Sequence, residues 1–578
     1  MQILKLLPFI GIYLSLYNYE RISAENNIYE GFSRKPFSNG MAFAVSYDPE
    51  VTDSKLFDEN ILQPVLEHWK MILRPRGRLD MPLVIPRTCK GGMSFIQENK
   101  TICQNACNEF VFCGRSRIPS DYLRPSFSHP DNCIAVKQTK SDPGQACYVR
   151  RNDKLIQQYP DGTGRTTEFF LHIGLGSEKL VDVAFASAKV CSFDAHRFRP
   201  ILGRISIAPA MLNASASQIN LYRNCMSHEI VHLLAFHQQL YTFYRYRNGT
   251  HRTSAASEVE PLRGKQPVAN SNTLITQNTN HMEEFEVIGG MQSIITLPAL
   301  VDVGRKYFRC KQLEGIPLEN HPSNALIQAH FETRILAEEL MAASPRFNLK
   351  LSNFTLVLLL ETGWYDVSYA SAQLMRWGKN WGCEFVRQSC QQYIEKRRAL
   401  NQPVSPYCDP QQMDRPTCLW DRTGYGHCGH IKISTDKQIT RSDPYEDNCP
   451  LAVAGKTQQS WDRISQDCKA LIHGEFENLA LESFGSESIC LDHVQNDRWT
   501  YSSEGYSIPL SRYGASCHQS KCVNNGGLFV RFGSEWVLCP SNGGPVDINT
   551  YSNGGRLLGV IYCPPCITVC NEMLCGAE

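Results

Sequence analysis

The cysteine content constrains this chain more than any other feature of its sequence. The 578 residues include 24 cysteines, which are distributed from Cys89 to Cys575. Disulfides rarely persist in a reducing cytosol, whereas secreted proteins commonly use an even set of cysteines as cross-links. The cysteine count therefore predicts a disulfide-stabilised protein that folds outside the cytosol.

The amino terminus fits the same compartment. An apolar run over residues 6–17 follows Lys5, and a short polar stretch then leads to the small residue Ala24. This order is typical of a signal peptide, here residues 1–24, and the run is shorter than the about 20 apolar residues that span a bilayer. An uncleaved anchor or a buried first helix is the alternative interpretation.

We expect a secreted, extracellular product. No later segment has the length and apolarity of an integral membrane span, and residues 570–578 lack the apolar tail of a GPI signal. The 58 Lys and Arg residues are balanced by 57 Asp and Glu residues, so the basic excess of a nucleic-acid-binding protein is missing. Asn-x-Ser/Thr sequons, which are typical of secreted glycoproteins, begin at Asn99, Asn213, Asn248 and Asn353.

Hydrophobic periodicity predicts an α+β fold. Helical spacing of apolar residues covers 58–73, and a second helix is predicted from Ser215 or Ser217 to about Phe236. From Cys383 onward, 15 of the 24 cysteines lie in loops rich in Gly, Pro and Asn, which predicts a separate disulfide-rich domain. Strand patterns cover residues 41–47, 81–85, 168–174 and 204–208.

The sharpest chemical signal is the pentapeptide His228-Glu229-Ile230-Val231-His232 in the second predicted helix. Two histidines separated by four positions lie on the same face of a helix, so their imidazoles can bind one Zn²⁺ together. Glu229 lies about 100° around the helix, where its carboxylate can reach a water that the metal activates. The pattern is typical of a zinc peptidase, and two unrelated histidines on an ordinary helix are the alternative.

A catalytic zinc site needs a third protein ligand. In the compact form of the motif a histidine would occupy position 238 after a glycine turn, but the sequence has Gln238, with Ala235 in place of the glycine. His237 would point away from the other two histidines if the helix continued. The third ligand must therefore come from farther along the chain. The residues alone leave several candidates open, namely His251, His281, Glu283, Glu284, His321 and His330.

These residues resemble a known family. The segment Met226–Phe236 is similar to the zinc-binding helix of leishmanolysin-type metallopeptidases, also called invadolysins, which belong to the metzincins. The resemblance is clear over roughly residues 40–390 and looser in the cysteine-rich remainder. Other segments on both sides of this helix also match, in the family's order. They are Cys191 together with residues 199–203, and then residues 308–310, 313–315, 329–334, 338–342, 361–365 and 377–383.

The resemblance implies that a long insertion separates the second histidine from the third. It implies that His330 is the third ligand and that Met341 lies in a structural Met-turn beneath the metal. On this basis we expect a secreted zinc-dependent endopeptidase that hydrolyses extracellular proteins or peptides by means of a metal-activated water. One Zn²⁺ per chain would be held by His228, His232 and His330, with Glu229 as the catalytic base.

Two alternatives stay open. A catalytically silent binding or adhesion protein could use the same fold, although loss of a motif residue would favour that interpretation more. A zinc peptidase with Glu283 or Glu284 as its third ligand is the other alternative.

The expected organisation has four parts. A signal peptide (1–24) precedes an N-terminal catalytic domain with a twisted mixed sheet and the active-site helix (25–240). A central mixed domain (241–384) supplies the third histidine and the Met-turn, and a cysteine-rich domain (385–578) follows.

Two departures from the family pattern carry expectations of their own. If the turn at Ala235 is left-handed, alanine costs about 1 kcal/mol relative to glycine. No cysteine lies between Ala24 and Cys89 to act as the inhibitory propeptide thiolate of the family. We therefore expect activity without proteolytic trimming.

Overall fold

The computed structural model describes most of the chain between residues 32 and 575. The segments of five or more residues outside the described residues are 1–31, 88–93, 129–135, 148–155, 177–184, 253–273, 279–290, 320–328, 344–348, 430–446, 454–466 and 471–479, and shorter gaps occur elsewhere. The predicted signal peptide and the Asn99 sequon therefore lie outside the described residues. So do four candidates for the third ligand, namely His281, Glu283, Glu284 and His321.

A four-stranded mixed sheet, here called the N-terminal sheet, supports the helix that carries the histidine pair. Its strands in spatial order are Ala186–Phe193, Pro200–Ile207, Phe169–Leu175 and Phe43–Tyr47. The last three run parallel to one another, and Ala186–Phe193 is an antiparallel strand at the edge.

Both faces of the N-terminal sheet are covered. Leu171 and Ile205 point to the main core, which also contains the helices. Phe170 and Leu202 belong to a second apolar cluster, in which Phe170 stacks on Tyr122 at 4.3 Å between ring centroids. Burial on both faces explains why the sequences of these strands are nearly continuous apolar runs rather than alternating apolar and polar residues.

The histidine pair lies on a helix that covers Ile219–Leu234, here called the motif helix. Tyr222, Met226, Ile230 and Leu233 are buried along its length, and this spacing is typical of a helix face that packs on a core. A second helical segment contacts it; Lys55–Phe57 and Gln63–Ile72 are α-helical, with a π-helical turn at Asp58–Leu62 between them.

Four more helices complete the main core: Pro298–Phe308, Asn353–Glu361, Gly382–Arg387 and Cys390–Ala399. Residues 354–360 of the second are all buried, so this helix is apolar on every side. The main core draws on both 25–240 and 241–384 and continues beyond them. The predicted division into domains stays a prediction.

The other described strands up to residue 453 are short and pair in small sheets of two to four strands. They are Phe32–Ser33, Leu73–Pro75, Ser94–Gln97, Lys100–Cys103, Phe112–Cys113, Ser116–Arg117, Ser126–Ser128, Val136–Thr139, Asp142–Cys147, Ile156–Tyr159, Leu274–Asn278, Met291–Ile295, Ile316–Pro317, Tyr365–Ser368, Thr417–Cys418, Tyr425–Gly429 and Leu451–Val453.

The C-terminal region forms a second large sheet with a core of its own. Leu491, Trp499 and Ile561 are among the buried residues of that core, and a short helix, Cys566–Val569, follows the sheet. The eight strands are Ser488–His493, Thr500–Ser503, Tyr506–Pro509, Ala515–Val523, Gly527–Phe532, Glu535–Leu538, Gly544–Ser552 and Gly555–Cys563.

Disulfides are concentrated in the C-terminal region, as the sequence predicts. Within the described part of the chain nine disulfides are formed, and seven of them join cysteines beyond residue 384. Cys225, on the motif helix, is the one free thiol among these described residues. The bonded pairs are 113–191, 310–383, 390–449, 408–428, 418–490, 468–517, 522–570, 539–563 and 566–575.

The mixed α/β architecture is confirmed, but two local predictions are wrong. The motif helix begins at Ile219, after both predicted N-caps, because the Ser215 hydroxyl donates to the Gln218 side chain (2.7 Å) instead of capping the helix. The predicted strand at 81–85 is reduced to isolated bridges at Leu83 and Ile85.

Two findings bear on the predicted compartment. Among the described helices, none has the length and apolarity needed to cross a membrane. Asn213 and Asn248 are exposed, as glycosylation requires, whereas the side-chain oxygen of Asn353 is buried.

We predict that Gly203 sets how closely the motif helix approaches the N-terminal sheet. A Cβ atom at this position would lie 2.6 Å from Cδ2 of Leu233, so Gly203→Ala should destabilise the fold by about 1–3 kcal/mol through overpacking. The measurement is the unfolding midpoint of the oxidised protein.

The double variant provides the control. Leu233→Ala removes the obstructing methyl groups, so adding Gly203→Ala to that variant should cost clearly less than adding it to the wild type. Equal losses in both backgrounds would show that the helix and the sheet do not meet in this way.

Candidate active site

The motif helix carries three of the predicted site residues, His228, Glu229 and His232. His228 and His232 lie one turn apart, and Ile230, Val231 and Leu234 anchor the helix in the core. The three aliphatic residues are at most 1% exposed, so the helix has little freedom to rotate about its axis.

His330 reaches the same place from a segment 98 residues after His232. Its carbonyl accepts a hydrogen bond from the Glu319 N–H (3.0 Å), and its neighbour Phe331 bridges to Leu318 on one side and to Ala342 on the other. These backbone pairings fix a stretch that has no regular helix or long strand.

The Nε2 atoms of the three histidines converge. The His228–His232 and His228–His330 separations are 3.0 Å, and the His232–His330 separation is 3.1 Å. His232 is 8% exposed and His330 is 5% exposed. The structure thus brings these three histidines together.

Hydrogen bonds on the other side of two of these rings fix their tautomers. Nδ1 of His228 lies 2.6 Å from the Leu340 carbonyl oxygen, and Nδ1 of His232 lies 2.7 Å from the Phe236 carbonyl oxygen. A carbonyl only accepts, so each Nδ1 donates its proton and each Nε2 presents a lone pair. The lone pairs therefore point into a common space.

Burial keeps the imidazoles of His228 and His232 neutral. It lowers the pKa of His228 to about 4, and burial together with repulsion from His228 and His330 lowers the pKa of His232. Neutral nitrogens that face one another repel unless a cation lies between them. The donor set therefore fits a single divalent metal ion.

Glu229 lies beside this cluster on the same helix and is 7% exposed. Burial raises the pKa of its carboxyl group to about 8, while a hydrogen bond with the backbone of Ala188 acts in the opposite direction. Ala188 belongs to the edge strand Ala186–Phe193, so this carboxyl group bridges the helix and the edge of the N-terminal sheet.

Met341 lies in a tight, fully buried turn. Its carbonyl accepts from the Phe331 N–H (2.9 Å), next to His330, and the preceding Leu340 carbonyl is the acceptor for His228. The turn therefore contacts the side chain of His228 and the residue that follows His330.

The carboxylate of Glu339 holds this turn in place. It accepts hydrogen bonds from the Met341 N–H, from the Ser352 hydroxyl (2.9 Å) and from the Thr355 hydroxyl (2.8 Å). Glu339 is fully buried, and burial raises the pKa of its carboxyl group to about 7.

The competing local candidates lie elsewhere. His237 accepts a hydrogen bond from the Gln239 N–H at the start of the next turn, and His251 forms a backbone bridge to Arg245.

Ala235 has φ −154°, outside the left-handed region, so alanine carries no left-handed penalty there. In the described part of the chain, the other cluster with metal-ligand spacing is Cys566, Cys570 and Cys575, and all three are in disulfides.

A comparison with known families identifies the group to which this arrangement belongs. The leishmanolysin profile, which defines a family of metallopeptidases, matches residues 162–576. The chain belongs to the leishmanolysin family. The resemblance inferred from the sequence is therefore confirmed, as are the protease and hydrolase classes that it implied.

Individual relatives extend over most of the chain. A leishmanolysin-like peptidase of Drosophila pseudoobscura pseudoobscura is 26% identical, covering 91% of this chain and 79% of the relative. One from Caenorhabditis elegans is 25% identical over 89% of this chain and 80% of the relative. Leishmanolysin of Leishmania major is 22% identical over 81% of this chain and 64% of its own length.

The sequence analysis missed the groups that orient the site. The carbonyls of Leu340 and Phe236 carry no side-chain signal, and neither does the backbone of Ala188. Glu339 had a signal, because it lies two residues before Met341, but an acidic residue next to a turn is more often exposed.

We predict that Glu339→Gln destabilises the site, even though Glu339 is not one of the residues that would hold the metal. Glutamine replaces one acceptor oxygen with an NH₂ donor that would face donors, so stability should fall by about 1–3 kcal/mol. Metal retention during dialysis against a chelator should also fall. Glu314→Gln, an exposed position, is the matched control. Equal metal retention in the two variants would contradict the role of Glu339.

Proposed function

We propose that this protein is a secreted, zinc-dependent endopeptidase with a metzincin-type active site, which cleaves extracellular proteins or peptides. The observation that carries the proposal is the convergence of three imidazole nitrogens beside a buried carboxyl group. Family membership supports peptidase chemistry, and the disulfides support an extracellular location.

His228, His232 and His330 would hold the metal. Three imidazoles suit zinc, and nitrogens 3.0–3.1 Å apart can each lie about 2.0–2.1 Å from a common point. Zinc bound there would supply a Lewis acid that activates water and polarises the scissile carbonyl group.

Glu229 is the proton carrier in this proposal. Its carboxylate accepts a proton from the attacking water and then donates that proton to the nitrogen of the departing amine. A carboxyl group with a pKa of about 8 can perform both steps near neutral pH, and a nearby cation would favour the ionised form that begins the cycle.

The edge strand Ala186–Phe193 supports a peptide as the substrate. In the described pairings it bonds to Pro200–Ile207 on one side, and Ala188 on this strand interacts with Glu229. An extended peptide can add to a sheet edge through its backbone, which would place a peptide bond beside Glu229.

Met341 is assigned a structural role in this proposal, because its buried turn orients His228 and contacts Phe331. The silent-adhesin alternative has less support, since the two motif histidines, Glu229 and His330 are all retained and lie together.

We predict that Glu229→Ala abolishes peptide cleavage while zinc stays bound, because the carboxylate transfers protons and does not hold the metal. General acid–base catalysis is worth about 10²-fold or more, so residual activity should be below about 1%. The measurements are fluorogenic peptide cleavage and zinc content by mass spectrometry. Glu314→Ala should keep full activity, and a Glu229→Ala enzyme that retains substantial activity would refute the assignment.

We predict that His330→Ala loses most of the bound zinc, because two imidazoles form an incomplete site. His237→Ala is the matched control: it removes a nearby histidine that caps a turn outside the cluster, so it should keep the metal. Zinc content of both variants, purified in parallel, is the measurement. Loss of zinc from His237→Ala with retention in His330→Ala would reverse the assignment.

A further inference from the structure

Three antiparallel strands at one end of the large C-terminal sheet present a surface to solvent. The strands Ala515–Val523, Gly527–Phe532 and Glu535–Leu538 pair in this order, and the last of them is an edge strand of the sheet. Leu528, Val530 and Phe532 point inward, to the C-terminal core. Because successive side chains of a strand point to opposite faces, the residues between them point outward. The outward residues, here called the outer face, are Lys521, Val523, Phe529, Arg531, Trp536 and Leu538.

The outer face exposes contiguous apolar groups. Leu538 is 53% exposed and Val523 is 38% exposed. Phe529 is half-buried and lies directly across from Leu538 in the pairing of the two strands. Contiguous exposed apolar groups that are bordered by polar residues are typical of an interaction surface.

The charged residues of the outer face are two exposed cations. The Lys521 ammonium lies 4.1 Å from the centre of the Trp536 ring system, and Arg531 donates to the amide oxygen of Gln519 (3.1 Å) and to the Gly533 carbonyl (2.8 Å). Among the described residues, no carboxylate lies within ion-pair distance of either cation. The outer face therefore attracts an anionic partner.

The nearest acidic residue in these strands does not belong to the outer face. Glu535 is exposed, but it pairs with the inward-pointing Phe532 and so lies on the opposite side of the edge strand. Alternation along the strand thus separates its charge from Lys521 and Arg531.

The cationic and apolar groups follow one another in rows across the strands. Arg531 pairs with Trp536 in the first row, and Lys521 and Leu538 both pair with Phe529 in the second. Val523 lies one row farther on, so the outer face changes from cationic to apolar along the strands. A membrane surface has the same order, because its charged headgroups lie directly above its acyl chains. Indole rings favour this boundary, and long basic side chains can reach back to the headgroups.

Disulfides hold the outer face in place. Cys522, between Lys521 and Val523, is bonded to Cys570, and Cys539, which follows Leu538, is bonded to Cys563. A face that is already rigid loses little conformational entropy when it binds.

We propose that the outer face binds an anionic membrane surface. Val523 and Leu538 would enter the boundary with the acyl chains, and Lys521 and Arg531 would pair with the anionic groups of the lipids. An acidic protein segment fits less well, because it would satisfy the two cations but place charged groups against the exposed Leu538 and Val523. A second copy of this chain would bring like charges together.

The test is cosedimentation of the full-length, oxidised protein with phosphatidylcholine vesicles that contain about 30% phosphatidylserine. Vesicles of phosphatidylcholine alone and a polyglutamate peptide are tested in parallel. We expect binding to the anionic vesicles, clearly weaker binding to the other two, and an affinity that falls as salt is raised.

Two double variants separate the contributions. Lys521→Gln with Arg531→Gln should weaken vesicle binding about tenfold or more, since each basic residue at an anionic surface contributes about fivefold. Val523→Thr with Leu538→Thr should weaken it to a similar degree, because apolar area no longer enters the interface. If either double variant unfolds early, Lys521→Gln or Leu538→Thr alone provides the comparison.

Matched controls remove the same kinds of group elsewhere. Lys306→Gln with Lys311→Gln removes two exposed cations near a helix of the main core, and Tyr506→Thr with Tyr551→Thr removes two exposed aromatic rings of the same C-terminal sheet. Both controls should bind vesicles as the wild type does. Absence of binding, equal binding to neutral vesicles, equal loss in the controls, or tighter binding of polyglutamate would each overturn the proposal.

A second measurement identifies the face that meets the lipid. Brominated phosphatidylcholine in the anionic vesicles should quench the fluorescence of Trp536, and Trp536→Phe should remove most of this quenching while vesicle binding persists. Quenching that is unchanged in Trp536→Phe would show that another face contacts the membrane. Both readouts report binding, so they are independent of whether the protein cleaves peptides.

Discussion

The hydrogen bond from His228 Nδ1 to the Leu340 carbonyl connects two parts of the chain that are 112 residues apart. It sets the tautomer and orientation of one histidine, and it fixes the position of the turn that holds Met341. The Met341 carbonyl in that turn accepts a hydrogen bond from the N–H group of Phe331, the neighbour of His330. One donor–acceptor pair therefore couples the motif helix to the segment that supplies the third imidazole.

Two adjacent buried carboxylates make this turn rigid. Glu339 binds donors around the helix Asn353–Glu361, whereas Glu338 accepts from the backbone N–H groups of Arg376 (2.6 Å) and Trp377 (2.8 Å). Burying a carboxylate costs several kcal/mol unless its oxygens are fully bonded. Since donors on two different segments satisfy them, the arrangement is stable only when both segments are in place, and the turn cannot shift independently.

Local patterns in the sequence predicted the parts of the structure that local physics decides. The pairing of His228 with His232 follows from helical periodicity, and the disulfide-rich C-terminal region follows from cysteine density. The position of His330 does not follow from any local rule, because a loop without periodicity brings it to the site through backbone bridges; only the family resemblance selected it from six candidates.

An even number of cysteines does not mean that every cysteine is paired. With Cys225 free, an even total of 24 requires a second unpaired cysteine elsewhere or an intermolecular bond.

The C-terminal region also supports the segment that carries His330. Nε of Arg334, four residues after that histidine, donates to the Asp447 carboxylate (2.8 Å), and Asp447 precedes the disulfide-bonded Cys449 by two residues. Both members of this ion pair are at most 5% exposed, so each would be left as an isolated buried charge without the other.

The neighbouring Glu332 depends on the same contact. Burial raises the pKa of its carboxyl group, and repulsion from Asp447 and Glu319 adds to this effect, whereas Arg334 opposes it. The main core continues through Tyr407 to Leu451, past the boundary that cysteine density predicted at residue 385. The cysteine-rich region thus completes the burial of the segment that carries His330. Loss of this region would therefore destabilise the site itself.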